Sequence, residues 1–310
     1  MKIAVLYGGV SGEREVSLSS GKGIIAALEK NNHQVIGIDF NPDRMQEIIE
    51  LDVDLVFIGL HGKFGEDGRI QGLLDMLNIP YVGSDVLSSA LAMDKQQAKR
   101  VFKTNGIPIA KSSIYYETKQ MNKQHVVAQI KGAFTPPFVI KPNREGSTLG
   151  LTIIENQDQV PDALDNAFAS DDVVLVEEFI KGKELTVPVL GALGEERALP
   201  VIEIIPKNDF YDYESKYAEG GSEHIIPARI DDETTKRVQE YAVLAHQSLG
   251  CETYSRVDFI LTDDHVPMIL EVNTLPGMTP TSLFPDAAQA TGMSYEQMIE
   301  TFVQLSKKEG

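Results

Sequence analysis

The chain has 310 residues, with 28 Lys and Arg against 46 Asp and Glu, so its formal net charge is −18 at pH 7. Its length predicts about two domains at about 150 residues each, and its 42% of hydrophobic residues is ordinary globular composition that excludes global disorder. The acidic balance argues against nonspecific binding to nucleic acid or to an anionic membrane surface, because both need a basic field.

The first hundred residues alternate short apolar strands with helices. Strands are predicted at 2–7, 34–39 and 54–60, and helices at 17–31 and 68–77. This βαβ order implies a parallel sheet with right-handed crossovers. Ligands of such sheets bind in the loops after the carboxyl ends of the strands, here residues 8–13 and 61–68.

The rest of the chain is richer in strands. After one helix at 88–105 and a boundary at 106–108, strands are predicted at 138–141, 151–154, 173–177, 185–190 and 199–205, with helices at 157–169 and 231–249. A last helix is predicted to start at Ser294, where Gln297 completes a capping box. The mixed order predicts an α+β part after the α/β start.

Two long polar segments, 206–222 and 274–286, carry aromatics or Pro and Gly. Long loops in compact domains are often functional lids, which we expect above all for the Tyr-rich 206–222 segment. Packing of such a loop on its own aromatics is the open alternative.

A glycine-rich turn near the start of the chain does not match the dinucleotide-binding motif. Gly8, Gly9 and Gly12 follow a strand, as in a nicotinamide dehydrogenase, but the dinucleotide spacing is absent and Glu13 would repel a pyrophosphate.

Cys251 is the only cysteine, so an intramolecular disulfide is excluded and a reducing compartment is favoured. The residue is expected to pack as a small buried hydrophobe. No segment approaches the about 18 apolar residues of a membrane span, so a cytoplasmic enzyme is expected.

A strand-end lysine is the first candidate for binding phosphate. Lys141 closes an apolar strand, and a Gly- and Ser-bearing loop follows at 143–150. A fixed cation beside flexible backbone N–H donors suits triphosphate oxygens. A solvated strand-end lysine is the alternative, and the pattern leaves both open.

A predicted hairpin at 256–273 carries the second candidate site. In a simple register, paired residue numbers sum to 527 and Asp258 faces Ile269, with Glu271 and Asn273 on the same face. Two carboxylates and an amide oxygen are the hard ligands that hold Mg²⁺ beside phosphates. The alternative is a solvated outer face of an antiparallel sheet.

The strand end at Glu177 and Glu178 is a weaker candidate. Its acids and backbone groups could bind adenine and ribose hydroxyls, but a charged hairpin turn explains the pattern equally well.

Seven stretches in this order resemble the D-alanine–D-alanine ligase family of ATP-grasp carboxylate–amine ligases, nearly end to end. They are Gly8-Gly9-x-Ser11-x-Glu13-Arg14-Glu15-Val16-Ser17, His61-Gly62-x-x-Gly65-Glu66-Asp67-Gly68, Met93-Asp94-Lys95, Lys141-Pro142 with Arg144-Glu145-Gly146-Ser147, Phe210-Tyr211-Asp212-Tyr213 with Lys216-Tyr217, Arg256-x-Asp258, and Glu271-x-Asn273-x-x-Pro276-Gly277-Met278-Thr279.

The resemblance implies a fold and a reaction. The fold is a Rossmann-like parallel-sheet domain at 1–95, followed by two α+β ATP-grasp subdomains at 96–183 and 184–310. ATP would phosphorylate one D-alanine, and the amine of a second would attack the acyl phosphate, giving D-alanyl-D-alanine for peptidoglycan precursors. The family also implies a homodimer.

The resemblance assigns the ATP and metal ligands. Lys95 and Lys141 would bind the phosphates, and Glu177 and Glu184 the adenine amino group and ribose. Glu178 and Ile180 sit where relatives vary, in a segment that acts largely through its backbone. The ligands of two Mg²⁺ ions, which Mn²⁺ could replace, would be Asp258, Glu271 and Asn273.

The resemblance also assigns the substrate ligands. Glu13 would hold the first ammonium group, linked through Ser147 to Tyr217, and Arg256 with the backbone at Gly277 would stabilise the oxyanion. Ser282 and Lys216 would bind the second carboxylate. Leu283 and His61 would also be substrate-binding residues, although a loop-capping hydrogen bond is the plainer role for His61.

Three alternatives remain at this point. The first alternative is the D-alanine–D-lactate ligase of the same family. The presence of Lys216 and Tyr217 in the predicted lid argues against it, because depsipeptide-forming relatives lack that tyrosine. A nicotinamide dehydrogenase is remote. A nucleotide-binding regulator without chemistry would predict the loss of Asp258, Glu271 or Arg256, and all three are present.

Overall fold

Three β-sheets and their covering helices make up the computed structural model, which describes residues 1–146, 149–206 and 221–307. The first sheet is parallel, in the order β2-β1-β3-β4. Its strands are β1 (Lys2–Gly8), β2 (Gln34–Phe40), β3 (Leu55–Ile58) and β4 (Tyr81–Val82), with helices α1 (Arg14–Lys30), α2 (Gln46–Ile49) and α3 (Arg69–Met76). All four residues of β3 are buried, as its unbroken apolar run predicts. The predicted parallel start is confirmed.

The single helix predicted at 88–105 is wrong. The structure has two helices, α4 (Val86–Met93) and α5 (Lys95–Thr104), separated by Asp94. Asp94 has non-helical dihedrals (φ −81°, ψ 94°), and its carboxylate accepts the N–H of Gln97 at 3.0 Å. Because the Asp94 side chain caps the start of α5, the backbone leaves the helical conformation at this residue, although the apolar periodicity continues through both helices. Lys95 therefore stands at the start of a helix.

The second sheet is antiparallel, in the order β5-β8-β6-β7. Its strands are β5 (Ser112–Tyr116), β6 (Phe138–Pro142), β7 (Thr152–Ile154) and β8 (Val173–Glu178). Helices α6 (Lys123–Ala133) and α7 (Val160–Phe168) pack on one face against Phe138, Ile140 and Val176. Because side chains alternate along a strand, Lys141 and Glu177 lie on the opposite face.

The third sheet is also antiparallel, in the order β12-β11-β9-β13-β14, with β10 paired to β9. Its strands are β9 (Lys183–Gly191), β10 (Arg197–Ala198), β11 (Ile202–Pro206), β12 (Ser222–Ile225), β13 (Thr253–Leu261) and β14 (Pro267–Asn273). Helix α8 (Asp232–Leu249) packs on this sheet. Two antiparallel sheets after a parallel one confirm the predicted fold class.

The chain ends by packing back on the first sheet. Helices α9 (Leu283–Ala290) and α10 (Tyr295–Leu305) share one core with β1 and β3, in which Phe302 lies against Phe57 and Tyr254. The predicted capping box of Ser294 and Gln297 is confirmed. The loop predicted at 274–286 ends earlier, because α9 begins at Leu283. Segment 206–222, the predicted lid, falls almost wholly outside the described residues.

The predicted register of the β13–β14 hairpin is wrong. Asp258 pairs with Glu271, and Arg256 with Asn273, whereas Phe259 pairs with Ile269. The pairing at the turn is already one residue beyond the prediction, since Leu261 pairs with Pro267, and a β-bulge between Asp258 and Phe259 shifts it by one residue more. The bulge places the two carboxylates directly opposite each other, closer than the simple register predicts.

In the described part of the chain, no helix is both long and apolar enough to cross a membrane.

Candidate active site

Asp258 lies on β13, between β9 and β14 of the third sheet, and is held by four hydrogen bonds. It accepts from the Thr186 hydroxyl at 2.5 Å, from Arg256 Nε at 2.9 Å and Nη2 at 2.8 Å, and from the Asn273 amide at 3.0 Å. Thr186 is directly opposite Asp258 on the neighbouring strand β9. Asp258 is only 9% exposed, so these donors replace water around its carboxylate and fix its orientation.

Lys95 connects this hairpin to the second sheet. Its ammonium lies 3.2 Å from Glu271 Oε2 and donates to the backbone carbonyl of Glu145 at 2.8 Å. Burial alone would lower the pKa of Lys95, but the ion pair with Glu271 outweighs it and raises that pKa. The cation is therefore fixed in its charged form beside the predicted metal ligands.

A buried acid with two lysines occupies the face of the second sheet. Glu177 Oε1 pairs with Lys141, and Glu177 Oε2 lies 2.8 Å from the Nζ atom of Lys99. Burial would raise the pKa of Glu177, but the two ammonium charges outweigh it and lower it to about 2. The predictions included Lys141 and Glu177 but missed Lys99, because its one-turn spacing from Lys95 on a helix does not distinguish it from a solvated lysine.

Glu13 lies where two glycine loops approach each other. It is 7% exposed and immediately precedes α1. A Cβ atom built on Gly146 would come within 3.0 Å of Glu13 Oε2, and one built on Gly62 within 3.2 Å. A side chain at either position would crowd the carboxylate, and Gly62 also has a positive φ of 65°, which favours glycine. The predicted partners Ser147 and Tyr217, like Lys216, lie outside the described residues.

Glu66 is a second acid beside Glu13, and no role was predicted for it. Its Oε2 atom accepts the N–H of Gly62 at 2.6 Å. Burial, with a further contribution from the charge of Glu13, raises the pKa of Glu66 to about 8. Its place in the His61–Gly68 stretch is the sequence feature that could have identified Glu66 as a site residue.

His61 ties the loops of the site together. Its Nδ1–H donates to the carbonyl of Leu275 at 2.9 Å, and its Nε2 accepts from the Ser20 hydroxyl at 3.1 Å. The Ser20 hydroxyl in turn accepts the N–H of Met278 at 3.1 Å. Burial lowers the pKa of His61, which is consistent with a neutral ring that positions the 274–282 loop.

The remaining predicted residues lie in two loop regions. Ser282 immediately precedes α9, and its hydroxyl accepts the N–H of Thr279 at 3.1 Å. A Cβ atom on Gly277 would lie 3.3 Å from that hydroxyl, and Leu283 is the buried first residue of α9. On the other side, the exposed Glu178 ends β8, Ile180 is in the β8–β9 turn, and Glu184 is in β9.

An internal ion pair occupies the glycine-rich turn after β1, the turn that resembles a dinucleotide-binding loop. Arg14 binds both oxygens of Asp39, at 2.7 and 2.6 Å, and a Cβ atom on Gly8 would come within 2.1 Å of Asp39 Oδ1. Asp39 is therefore an internal partner of Arg14, consistent with rejection of the dinucleotide motif.

The predicted metal ligands suit a hard cation. Asp258, Glu271 and Asn273 offer carboxylate and amide oxygens on one face of the hairpin, as Mg²⁺ prefers. Among residues 1–146, 149–206 and 221–307, no three His, Cys, Asp or Glu side chains form a metal-binding group. The predicted set contains only two such side chains, so phosphates or water would have to complete it.

The fold and site define an ATP-grasp ligase. The family model described as D-ala D-ala ligase C-terminus matches residues 101–304, and the one described as D-ala D-ala ligase N-terminus matches residues 2–48 and 41–84. The chain belongs to the D-alanine–D-alanine ligase family.

Individual proteins agree with this membership. A D-alanine–D-alanine ligase of Halalkalibacterium halodurans is 61% identical over 310 residues, covering 99% of this chain and 100% of that protein. The D-alanine–D-alanine ligase of Bacillus anthracis complexed with ATP is 33% identical with a TM-score of 0.83, covering 99% and 97% of the two chains. The VanG D-Ala:D-Ser ligase of Enterococcus faecalis is 34% identical with a TM-score of 0.84, covering 99% of both chains.

Proposed function

We propose that this chain joins two D-alanine molecules to D-alanyl-D-alanine at the expense of ATP, forming ADP and phosphate, for peptidoglycan precursor synthesis. The observation that carries the proposal is the convergence of Lys95, Arg256, Asp258 and Glu271 between the second and third sheets. An acidic chain thereby concentrates fixed cations and metal-binding oxygens where a triphosphate would react.

The nucleotide would lie between these two sheets. Lys95 and Lys141 would bind its phosphates, Glu177 the adenine amino group, and Glu184 the ribose. Residues 178–180 would contribute backbone groups of the β8–β9 turn, among them those of Glu178 and Ile180. Lys95 is suited to this role because its ion pair with Glu271 keeps it charged and fixed.

Asp258, Glu271 and Asn273 would hold two Mg²⁺ ions, with Mn²⁺ as a substitute. Bound there, the metal would neutralise charge that develops as the phosphoryl group moves from ATP to the carboxylate of the first D-alanine. Arg256 and Lys95 already neutralise the two acids, so the carboxylates have cationic neighbours before any metal arrives.

The amino acids would bind on the side of the first sheet. Glu13 would hold the first ammonium group with Ser147 and Tyr217, and Arg256 with the Gly277 backbone would stabilise the oxyanion formed when the second amine attacks. Ser282 and Lys216 would anchor the second carboxylate beside Leu283. His61, whose two ring nitrogens already bond Leu275 and Ser20, would position this loop.

We also propose three structural units at 1–95, 96–183 and 184–310. The strands of the three sheets lie at 2–82, 112–178 and 183–273, so each sheet falls within one proposed unit except that β9 begins at Lys183.

We further propose that the chain acts as a homodimer in the cytoplasm. An apolar surface supports the dimer: Met76 on α3 and Val86 and Leu87 on α4 are 76%, 38% and 65% exposed, and Val86 packs beside Gly72, one turn from Met76. Sedimentation of the wild type at micromolar concentration should give twice the 34.1 kDa chain mass; a monomer would contradict this proposal.

An acceptor competition tests the function. With D-alanine, ATP and Mg²⁺ present, equal amounts of D-lactate or D-serine are added and products are separated by mass. D-Alanyl-D-alanine should dominate near neutral pH. If D-alanyl-D-lactate dominated, the chain would be a D-alanine–D-lactate ligase instead. If D-alanyl-D-serine dominated, its second site would resemble that of the VanG ligase.

A further inference from the structure

Lys99 is a buried cation of the nucleotide site to which no role has been assigned. It is 2% exposed and lies one helical turn after Lys95 on α5, so both lysines lie on the same face of the helix. Its Nζ atom lies 2.8 Å from Glu177 Oε2, while Lys141 pairs with the other carboxylate oxygen. One buried acid is therefore shared by two ammonium groups.

The charges of this group do not balance. Lysine is almost never fully buried unless it is paired, because removing an ammonium from water is costly. Lys99, Lys141 and Glu177 together carry one net positive charge, and the neighbouring Lys95 is already paired with Glu271. The excess charge favours an anion at this site.

A purely structural role does not require this lysine. Helix α5 is already anchored through the buried Ala98 and Phe102, and the Asn143 side chain accepts the N–H of Gln96 at 2.9 Å. An apolar side chain at position 99 would fill the same space without the cost of burying a charge.

We propose that Lys99 is a positioning residue that keeps Glu177 ionised and in place when Lys141 moves from it to a phosphate of ATP. The inference rests on the proposed function of Glu177 and Lys141. Without Lys99, Lys141 is the sole close cationic partner of the buried Glu177 carboxylate among the described residues, and its transfer to the nucleotide removes that partner. With Lys99, the transfer leaves a neutral ion pair whose carboxylate accepts a hydrogen bond from the adenine amino group.

The direct test is ATP binding to Lys99→Met in the absence of D-alanine, measured by titration calorimetry with Mg²⁺. Methionine keeps the length of the side chain, and Glu177 keeps Lys141 as a partner, so the variant should fold. The Kd for ATP should rise by about tenfold or more, as expected for losing a buried charged partner. Lys103→Met, an exposed lysine one turn further on α5, is the matched control and should bind like the wild type.

Base selectivity separates positioning from a general loss of structure. Inosine triphosphate has a carbonyl oxygen in place of the adenine amino group, so position 6 of its base cannot donate to Glu177. The preference for ATP over inosine triphosphate should therefore shrink in Lys99→Met. Equal losses for both nucleotides would overturn the proposal, as would wild-type binding of ATP.

A double-mutant cycle identifies the residue through which Lys99 acts. In a Glu177→Gln background, Lys99→Met should change the Kd for ATP by less than about threefold, because the partner is already neutral. An undiminished effect would mean that Lys99 acts on the phosphates directly, and would overturn the positioning role. Lys99→Gln serves the same cycle if the methionine variant does not fold. Because binding is measured without turnover, these results are distinguishable from a failure of the ligase activity itself.

Discussion

Replacing Thr186 by valine tests whether the orientation of Asp258 controls catalysis. Thr186 is fully buried, and its hydroxyl supplies one of the four hydrogen bonds to Asp258, at 2.5 Å. Valine has nearly the same shape but no donor, and a hydrogen bond to a charged group contributes about 1.5–3 kcal/mol. If that energy is lost in the transition state, kcat/KM should fall by about 10- to 100-fold. Phosphate release from ATP with D-alanine and Mg²⁺ measures the loss.

Thr234→Val is the matched control for that experiment. Thr234 is also buried, and its hydroxyl donates to a carboxylate, Asp231, at 2.8 Å, but at the start of α8. It should lower the unfolding temperature without reducing kcat/KM. Wild-type kcat/KM in Thr186→Val, or an equal loss in both variants, would refute the reasoning.

Three further predictions concern acids around the site. Glu271→Gln, which neutralises the partner of Lys95, should reduce phosphate release by more than about a hundredfold while circular dichroism is unchanged; wild-type turnover would remove its metal role. Asp171→Asn weakens the ion pair that anchors Arg144, in the loop whose Gly146 lies against Glu13, the proposed ligand of the first ammonium group. The KM for D-alanine should therefore rise by about tenfold in initial-rate assays, and an unchanged KM would contradict it. Because burial raises the pKa of Glu66 from 4.5 to about 8, the folded state keeps a proton that the unfolded state releases. The contribution of Glu66 to the free energy of unfolding should therefore be lost between about pH 5 and pH 8. In urea titrations over this range the wild type should lose more stability, or gain less, than Glu66→Gln; equal slopes would contradict this pKa.

Apolar periodicity predicted the parallel start and most strands, because buried strands show it directly. It failed at Asp94, where one capping side chain divides two helices that share the same apolar pattern. It also missed β5, whose residues are half-buried at the edge of the second sheet, and α9, which follows a Pro- and Gly-rich loop. These elements are determined by tertiary packing, which local propensity does not report.

The hairpin shows how far site prediction can reach. Parity alone put Asp258, Glu271 and Asn273 on one face, but no local pattern indicated the bulge that makes the two acids direct neighbours. Lys99 was missed for a related reason. A lysine that is buried because a distant strand supplies its acid has the same sequence signature as a lysine on a solvated helix face.

The most direct test of the central claim is phosphate release from ATP, with the product identified and counted. The account predicts Mg²⁺-dependent release only when D-alanine is present, with one D-alanyl-D-alanine formed for each ADP. Equal release with L-alanine, or none with D-alanine, would contradict the claim that this chain is a D-alanine-joining ligase.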